Sequence, residues 1–195
     1  MLIDLHIHTN TGSFDSNLTL NSIAKHVNPR IEAVVVTDHD FLPKKMEPRE
    51  IRGILVLFGA EITTQQGHLL AYGIEELPSK NLDVKEVVMQ VHKQGGVCVA
   101  AHPFRAYHAL GEAVYDSDLL LDGLEINGSS SKSSNNQARK VARIKELPLT
   151  GGSDAHVIRN LNTTTTKTRE PVMSMDDLVR QIKKKTITPS FIQSK

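Results

Sequence analysis

Apolar, β-branched runs recur along this chain and alternate with stretches of helical periodicity, which restricts it to folds that interleave strands and helices. The strand candidates are residues 3–8, 33–38, 54–61, 68–73, 96–102, 123–126, 148–154 and 186–192. The helix candidates are 19–26, 83–94, 135–146 and 175–184. Two of these helices carry start signals. Asp83 precedes VKEVVMQVHK with Glu86 three residues on, a capping-box pattern, and Gly95-Gly96 stop that helix. Ser174 precedes MDDLVRQIKKK, which has acids in its first turn and lysines in its last, as the helix dipole favours. The alternation predicts parallel βα units and hence an α/β sheet or barrel. No repeat or linker divides the 195 residues, so a single domain over 1–195 is expected. SSSKSSNN (129–136) is the one low-complexity run and reads as a flexible loop following a strand end.

Composition narrows the class. Apolar residues make up 39% of the chain, and no window approaches the ~18 consecutive apolar residues of a membrane span. The start MLIDLHIH lacks the basic flank and small-residue cleavage site of a signal peptide, so it is expected to be mature sequence. Cys98 is the only cysteine, which rules out an internal disulfide and points to the reducing cytoplasm. A net charge of +1 argues against a broad nucleic-acid surface, while leaving room for a local basic patch. The excess is in histidine: nine, against three Tyr, five Phe and no Trp.

Those histidines gather with acids at the ends of the apolar runs. LIDLHIHTN places His6 and His8 on one face of the first strand, ~7 Å apart by the usual rise, where both can reach one metal ion. AVVVTDHD ends in Asp38, His39 and Asp40, and ILVLFGAEI delivers Glu61. HLLAYGI begins with His68, VCVAAHP ends with His102, GLEIN holds Glu125, and PLTGGSDAH ends with Asp154 and His156. In α/β folds the carboxyl ends of parallel strands share a face, and active sites assemble there. A core cannot bury so many ionisable groups unpaired, since each costs several kcal/mol, and bound cations solve that problem. Histidines with carboxylates and no thiolate suit Zn, Mn or Fe. A single catalytic zinc needs only three protein ligands, so the set suffices for two or three ions, with a carboxylate such as Glu61 able to bridge.

The motif string DLHIHT, Asp15, TDHD, GAEIT, His68, AHP and SDAH resembles the polymerase and histidinol phosphatase (PHP) family of metal-dependent phosphoesterases, in order and over nearly the whole chain. The resemblance implies a distorted seven-stranded (β/α) barrel with two or three metal ions at the strand C-termini. It implies that His6, His8, Glu61 and Asp154 hold one ion, that Asp15, His39 and His156 hold a second, and that Glu61, His68 and His102 hold a third, with Glu61 as the bridge. Larger members carry an insertion before the strand matching VCVAAHP. Here only one helix fits that gap, the length of an ordinary crossover. The implied activity is hydrolysis of small phosphomonoesters or of nucleotide or oligonucleotide phosphoesters, with water activated by the ions.

Cations for the substrate phosphate are available three residues from ligands: Arg105 after AHPF and Arg159 after SDAHVI, with Lys44 and Lys45 as further candidates. Glu61, Asp154, Arg105 and Arg159 are therefore the residues expected to carry the chemistry. His26 and His92 read as surface or boundary residues, His108 as a candidate for the pocket rim and Cys98 as a buried thiol. Asp4, Glu125 and one of Asp38 or Asp40 read as supports for the ligands. Two rival readings remain at this stage: a metal-dependent amidohydrolase, and a non-catalytic module stabilised by metal. The former class commonly uses a bridging carboxylated lysine, and no apolar strand here ends in Lys.

Overall fold

The first strand, β1 (Leu2–Ile7), is buried on both faces from Ile3 onward. Ile3, Leu5 and Ile7 pack into apolar clusters on one side, while Asp4 and His6 turn the other way toward polar partners from the far end of the chain. A computed structural model describes residues 1–192, and the last three residues of the domain expected over 1–195 lie outside the described residues. In chain order after β1 come α1 (Leu20–His26), β2 (Ala33–Val36), β3 (Arg49–Ile51), β4 (Ile54–Phe58), β5 (Ala60–Thr63) and β6 (His68–Tyr72). Then follow α2 (Val84–Lys93), β7 (Val97–Ala100), β8 (Gly123–Asn127), α3 (Lys132–Ile144), β9 (Leu149–Gly152), β10 (Thr164–Thr168), α4 (Met175–Lys183) and β11 (Ile187–Phe191).

The strands form two sheets, six-stranded in the order β11-β10-β1-β2-β4-β3 and five-stranded in the order β5-β6-β7-β8-β9. They meet at two seams. At one, His39 bridges Glu61, with the Asp40 amide donating to Glu61 O at 2.9 Å; at the other, Ile7 bridges Ala155, with the Asp154 amide donating to His6 O at 2.8 Å. The run expected as one strand over 54–61 is thus two strands, one in each sheet, broken at Gly59. A Cβ on Gly59 would sit 2.7 Å from the Ala71 carbonyl oxygen, so no other residue allows this passage between sheets.

The expectation of uniformly parallel βα units needs correction, because the sheets are mixed. β1, β2 and β4 run parallel, as do β7, β8 and β9, but β6 is antiparallel to both β5 and β7. The cause is local: β5 and β6 are joined by a tight turn, in which the Thr64 amide donates to Gly67 O and the Gly67 amide donates to Thr64 Oγ1, rather than by a crossover helix. Two strands were not expected. β10 is a threonine run without apolar alternation, and β3 is mostly polar and exposed. α3 begins at Lys132 rather than at residue 135, capped by Ser131, whose side chain accepts from the Ser134 amide. Most of the serine-rich run is therefore a turn and the first turn of a helix. The capping box at Asp83 forms as expected. Among the described residues no helix is long and apolar enough to cross a membrane.

Candidate metal centre

Both seams open onto one end of the sheets, and the histidines and acids singled out above converge there. β1 contributes His6 and, one residue beyond its end, His8; β2 leads to His39; β5 carries Glu61; β7 leads to His102; and β9 leads to Asp154 and His156. His68 reaches the same end for the opposite reason. It is the first residue of β6, and because β6 runs antiparallel, its start lies where its neighbours finish. Asp15 arrives from the loop after β1.

Four atoms form the innermost group. His6 Nε2 and His8 Nε2 lie 3.0 Å apart, His6 Nε2 is 3.4 Å from Glu61 Oε2 and from Asp154 Oδ1, and His8 Nε2 is 3.3 Å from each. All four residues are at most 4% exposed. The hydrogen-bond network assigns the ring protons. His6 Nδ1 donates to Glu125 Oε1 at 2.9 Å, and Glu125 Oε2 also accepts from the His102 amide and Asn127 Nδ2, a carboxylate's pattern. His8 Nδ1 faces Ser13 Oγ at 3.0 Å; that hydroxyl donates to Asp38 Oδ1 and accepts from the His39 amide, so His8 Nδ1 must be its donor. In the neutral rings, the form that can ligate, both Nε2 atoms are therefore acceptors. Two imidazole lone pairs and two carboxylate oxygens converge with no donor from the chain between them. Tetrahedral ligands at ~2.0–2.1 Å from a zinc-sized ion would stand about 3.3–3.4 Å apart, close to the separations found.

The charges answer the same geometry. Burial alone would lower His6, but Glu125, Asp154 and Glu61 outweigh it and hold its pKa well above the usual histidine value. Burial would raise Glu61, but the charge of His6 and hydrogen bonds from His102 and His39 hold it well below the usual carboxylate value; Asp154 is lowered against burial in the same way, chiefly by His6. The cage thus favours positive charge at its centre.

A second group lies beside the first. Asp15 Oδ2 is 3.2 Å from His156 Nε2 and 3.6 Å from His39 Nε2, and the two nitrogens are 3.5 Å apart. His156 Nδ1 donates to Asp154 O at 3.0 Å and His39 Nδ1 lies 3.0 Å from Glu61 Oε2, which leaves the Nε2 atoms to face Asp15. In a third group Glu61 Oε1 sits 2.9 Å from both His68 Nδ1 and His102 Nε2. Glu61 accordingly spans the first and third groups with its two oxygens. Arg105 closes this corner: its Nη1 donates to Asp154 Oδ2 at 2.6 Å and its Nη2 lies 3.0 Å from His102 Nε2. His102 Nε2 therefore faces a carboxylate on one side and a guanidinium on the other, and a neutral ring nitrogen can serve only one of them.

Three of the nine non-glycine residues with positive φ among the described residues flank these groups. Asp40, His102 and Asp154 have positive φ values of 46°, 30° and 55°, conformations that cost about 1–3 kcal/mol each and persist where the surroundings enforce them. Gly152 is required next to Asp154's strand end, because a Cβ there would fall on His6 Cβ and Glu125 Oε1.

The groups open into a cavity of ≈ 670 Å³, lined by Arg105 and Arg159 among others. Arg159 is exposed on a short 3-10 turn at the rim, whereas Lys44 and Lys45 are exposed and do not line the cavity. His108 lies at the rim, its ring stacked 4.9 Å from that of His68. His26 and His92 stand apart, the latter paired with Asp122 at 2.7 Å, and Cys98 is buried with its thiol pKa raised by that burial. Asp4 accepts from the Ser153 and His6 amides, and Asp40 accepts from the Thr63 amide. Sequence reasoning did not find Ser13, which joins His8 to Asp38, nor Phe14, 98% exposed at the cavity mouth. An aromatic residue inside the polar loop TGSFDS was the available signal for Phe14.

Comparison with known proteins agrees with the motif order. Residues 132–187 match the family described as PHP-associated. An uncharacterised protein of Methanocaldococcus jannaschii is 33% identical over 164 residues, which cover 76% of this chain and 94% of that protein. A two-domain protein of Bacteroides vulgatus containing a predicted PHP-like metal-dependent phosphoesterase superposes with a TM-score of 0.70 at 19% identity, covering 98% of this chain and 65% of that one. The lesion-specific endonuclease PfuEndoQ of Pyrococcus furiosus gives 0.68 at 18%, covering 94% and 56%. An amidohydrolase of Chromobacterium violaceum gives 0.64 at 16%, covering 95% and 96%. At these identities the structural likenesses establish a shared fold.

Proposed function

The chain belongs to the PHP family, and from that premise we propose that it is a metal-dependent phosphoesterase acting on small phosphomonoesters or on nucleotide or oligonucleotide phosphoesters. One observation carries the reading: four buried acceptor atoms from His6, His8, Glu61 and Asp154 converge at 3.0–3.4 Å with their ring protons committed elsewhere. The donor set fits divalent Mn, Zn or Fe. His6, His8, Glu61 and Asp154 would hold one ion, Asp15, His39 and His156 a second, and Glu61, His68 and His102 a third. Such ions supply a lowered water pKa and polarisation of the phosphoryl oxygens.

The chain's own residues do the rest. Glu125 and the Asp38–Ser13 pair keep the protons of His6 and His8 on Nδ1, so that Nε2 stays a ligand. Arg105, already aligned on Asp154, presents the donors suited to a phosphate, and Arg159 extends the positive wall at the rim. Glu61, shared between groups, fixes their spacing. The two seams between the sheets support a distorted seven-stranded barrel in which β4 and β5 count as one strand broken at Gly59.

An amidohydrolase of the kind that bridges its ions with a modified lysine is disfavoured, because Glu61 would take the bridging place and no lysine among the described residues lines the cavity. The test is a screen of phosphomonoesters, nucleoside bisphosphates and short oligonucleotides with Mn, Zn and Fe supplied separately, alongside metal analysis of the purified protein. At least two ions per chain and metal-dependent phosphate release are expected. One ion or fewer after loading, or no turnover with any metal, refutes the reading.

A further inference from the structure

Among the histidines gathered at the centre, His102 is set apart by its second ring nitrogen. A ligating imidazole donates its other N–H to a carboxylate, a carbonyl or a hydroxyl, which frees the ligand nitrogen and fixes the ring. His6 has Glu125 for that purpose, His8 has Ser13 backed by Asp38, and His156 has the Asp154 carbonyl. His102 has no such partner: its ring is fully buried, and its Nδ1 makes no hydrogen bond among the described residues. His102 also stays out of the gathering beside Glu61. The ligand atoms that come within 4.8 Å of one another there belong to His39, Glu61 and His68.

The neighbours of His102 Nε2 are Glu61 Oε1 at 2.9 Å and Arg105 Nη2 at 3.0 Å, while Arg105 Nη1 donates to Asp154 Oδ2 at 2.6 Å. The placement of Arg105 is built into the chain. Its amide donates to His102 O at 3.0 Å, closing a turn that returns the side chain to His102. Phe104 packs against the core, and Arg105 Nε donates to Tyr107 O at 3.4 Å, so all three guanidinium nitrogens have partners.

Arg105 is compatible with an ion in the first group, since that cage uses Asp154 Oδ1 and the guanidinium takes Oδ2. It is not compatible with an ion at His102. A neutral imidazole has one lone pair on Nε2, which faces either a metal or an N–H donor. The guanidinium is also always charged, so it repels a further cation beside it. A fixed positive charge with donors aimed at phosphoryl oxygens can do part of what an ion would do there.

We propose that Arg105 stands in for the third ion. It and a metal at His102 exclude each other, so the resting centre holds two ions, and the third group fills only when Arg105 is drawn away. This rests on the metal-centre reading above and specifies its occupancy.

The test counts bound ions by equilibrium dialysis of the metal-stripped protein and its variants against the same free concentration of Mn or of Zn. Wild type is expected to bind two ions per chain, and the neutral variants Arg105→Ala and Arg105→Gln three. His102→Asn, chosen because Asn tolerates the positive φ of 30° at that position, should still bind two, as should the double variant Arg105→Ala/His102→Asn. An ion gained at Arg105 and lost again with His102 is a result that a merely structural role for Arg105 does not produce. Circular dichroism checks folding; if both Arg105 variants unfold, His102→Asn decides alone. No gain in a folded Arg105 variant, three ions in wild type, or loss of an ion in His102→Asn overturns the proposal. One ion or fewer in wild type refutes the multinuclear reading instead. In that case a gain of one ion in Arg105→Ala still supports the exclusion, and no gain overturns it.

Discussion

Replacing Glu125 with Gln tests the proposed metal cage without touching any of its four converging residues. Glu125 accepts three hydrogen bonds, from His6 Nδ1 at 2.9 Å, the His102 amide at 2.7 Å and Asn127 Nδ2 at 3.0 Å. Gln has one acceptor oxygen and one NH2 group, so its NH2 must face donors whichever way it turns. Turned toward His6, it drives the ring proton to Nε2 and cancels a ligand. Turned the other way, it meets the His102 amide and Asn127 Nδ2 and leaves two buried donors unpaired. Partners of metal-bound histidines are worth about 10–100-fold in metal affinity, which is about 1.4–2.8 kcal/mol. A similar figure, about 1.5–3 kcal/mol, follows from losing a charged hydrogen bond in a buried site. We therefore predict that Glu125→Gln weakens one ion per chain by 10–100-fold, measured by competition with a chromophoric chelator at pH 7.5. The ion at Asp15, His39 and His156 should change less, since Glu125 touches none of them. A variant with native circular dichroism and metal affinities within about threefold of wild type would show that Glu125 does not orient His6.

Glu61→Gln removes the charge shared between groups and is expected to lose at least one ion together with most activity; full metal occupancy with near-normal turnover would contradict the bridging role. Arg105→Ala should lower kcat/KM by roughly ten- to hundredfold through loss of a charged phosphate contact, with Arg105→Lys recovering part of it; an unaffected Arg105→Ala shifts the phosphate grip to Arg159. The pH dependence has a definite sign. In the metal-free protein burial would lower the pKa of His6 and His8, but the surrounding acids raise both. A raised histidine pKa gives stability that is present in acid and lost as pH rises through the folded value. Bound protons must leave when an ion enters, so metal binding should release protons and the metal-induced rise in Tm should be larger at pH 8 than at pH 6. Calorimetry in two buffers of different ionisation enthalpy measures the release, and none at pH 6 would refute it.

The residues of the candidate site were legible because they break a pattern. His6 and His8 interrupt an apolar strand at period two, and Glu125 stands alone in GLEIN. What lay outside the pattern depends on pairing, which sequence order does not record. His68 begins its strand rather than ending it, and only the reversed direction of β6 brings it to the site. Ser13 reads as an ordinary loop serine until the fold sets it between His8 and Asp38. β10 was missed because threonine fills consecutive positions and hides the alternation, although Thr164, Thr165 and Thr166 are all buried. α3 was started late because serine and asparagine favour turns, and the helix-starting role of Ser131 shows only in its bond to the Ser134 amide.

The wide sequence separation of the residues that would hold the first ion bears on when that ion could be enclosed during synthesis. His6, His8 and Glu61 leave the ribosome early, whereas Asp154 follows only after the chain has been extended through β9. At ~5–20 residues per second the gap between Glu61 and Asp154 lasts several seconds. Throughout that interval a nascent chain exposes an incomplete set of imidazoles, able to pick up an ion but not to enclose it. An ion held there would be enclosed only once the β9 end docks on β1 through the bond from the Asp154 amide to His6 O. Enclosure of that kind predicts that the metal content follows what is free in the surrounding fluid at that moment, more than equilibrium preference afterwards. Refolding the purified chain in defined mixtures of Mn, Zn and Fe, and comparing its content with that of folded apoprotein given the same mixtures, measures that difference.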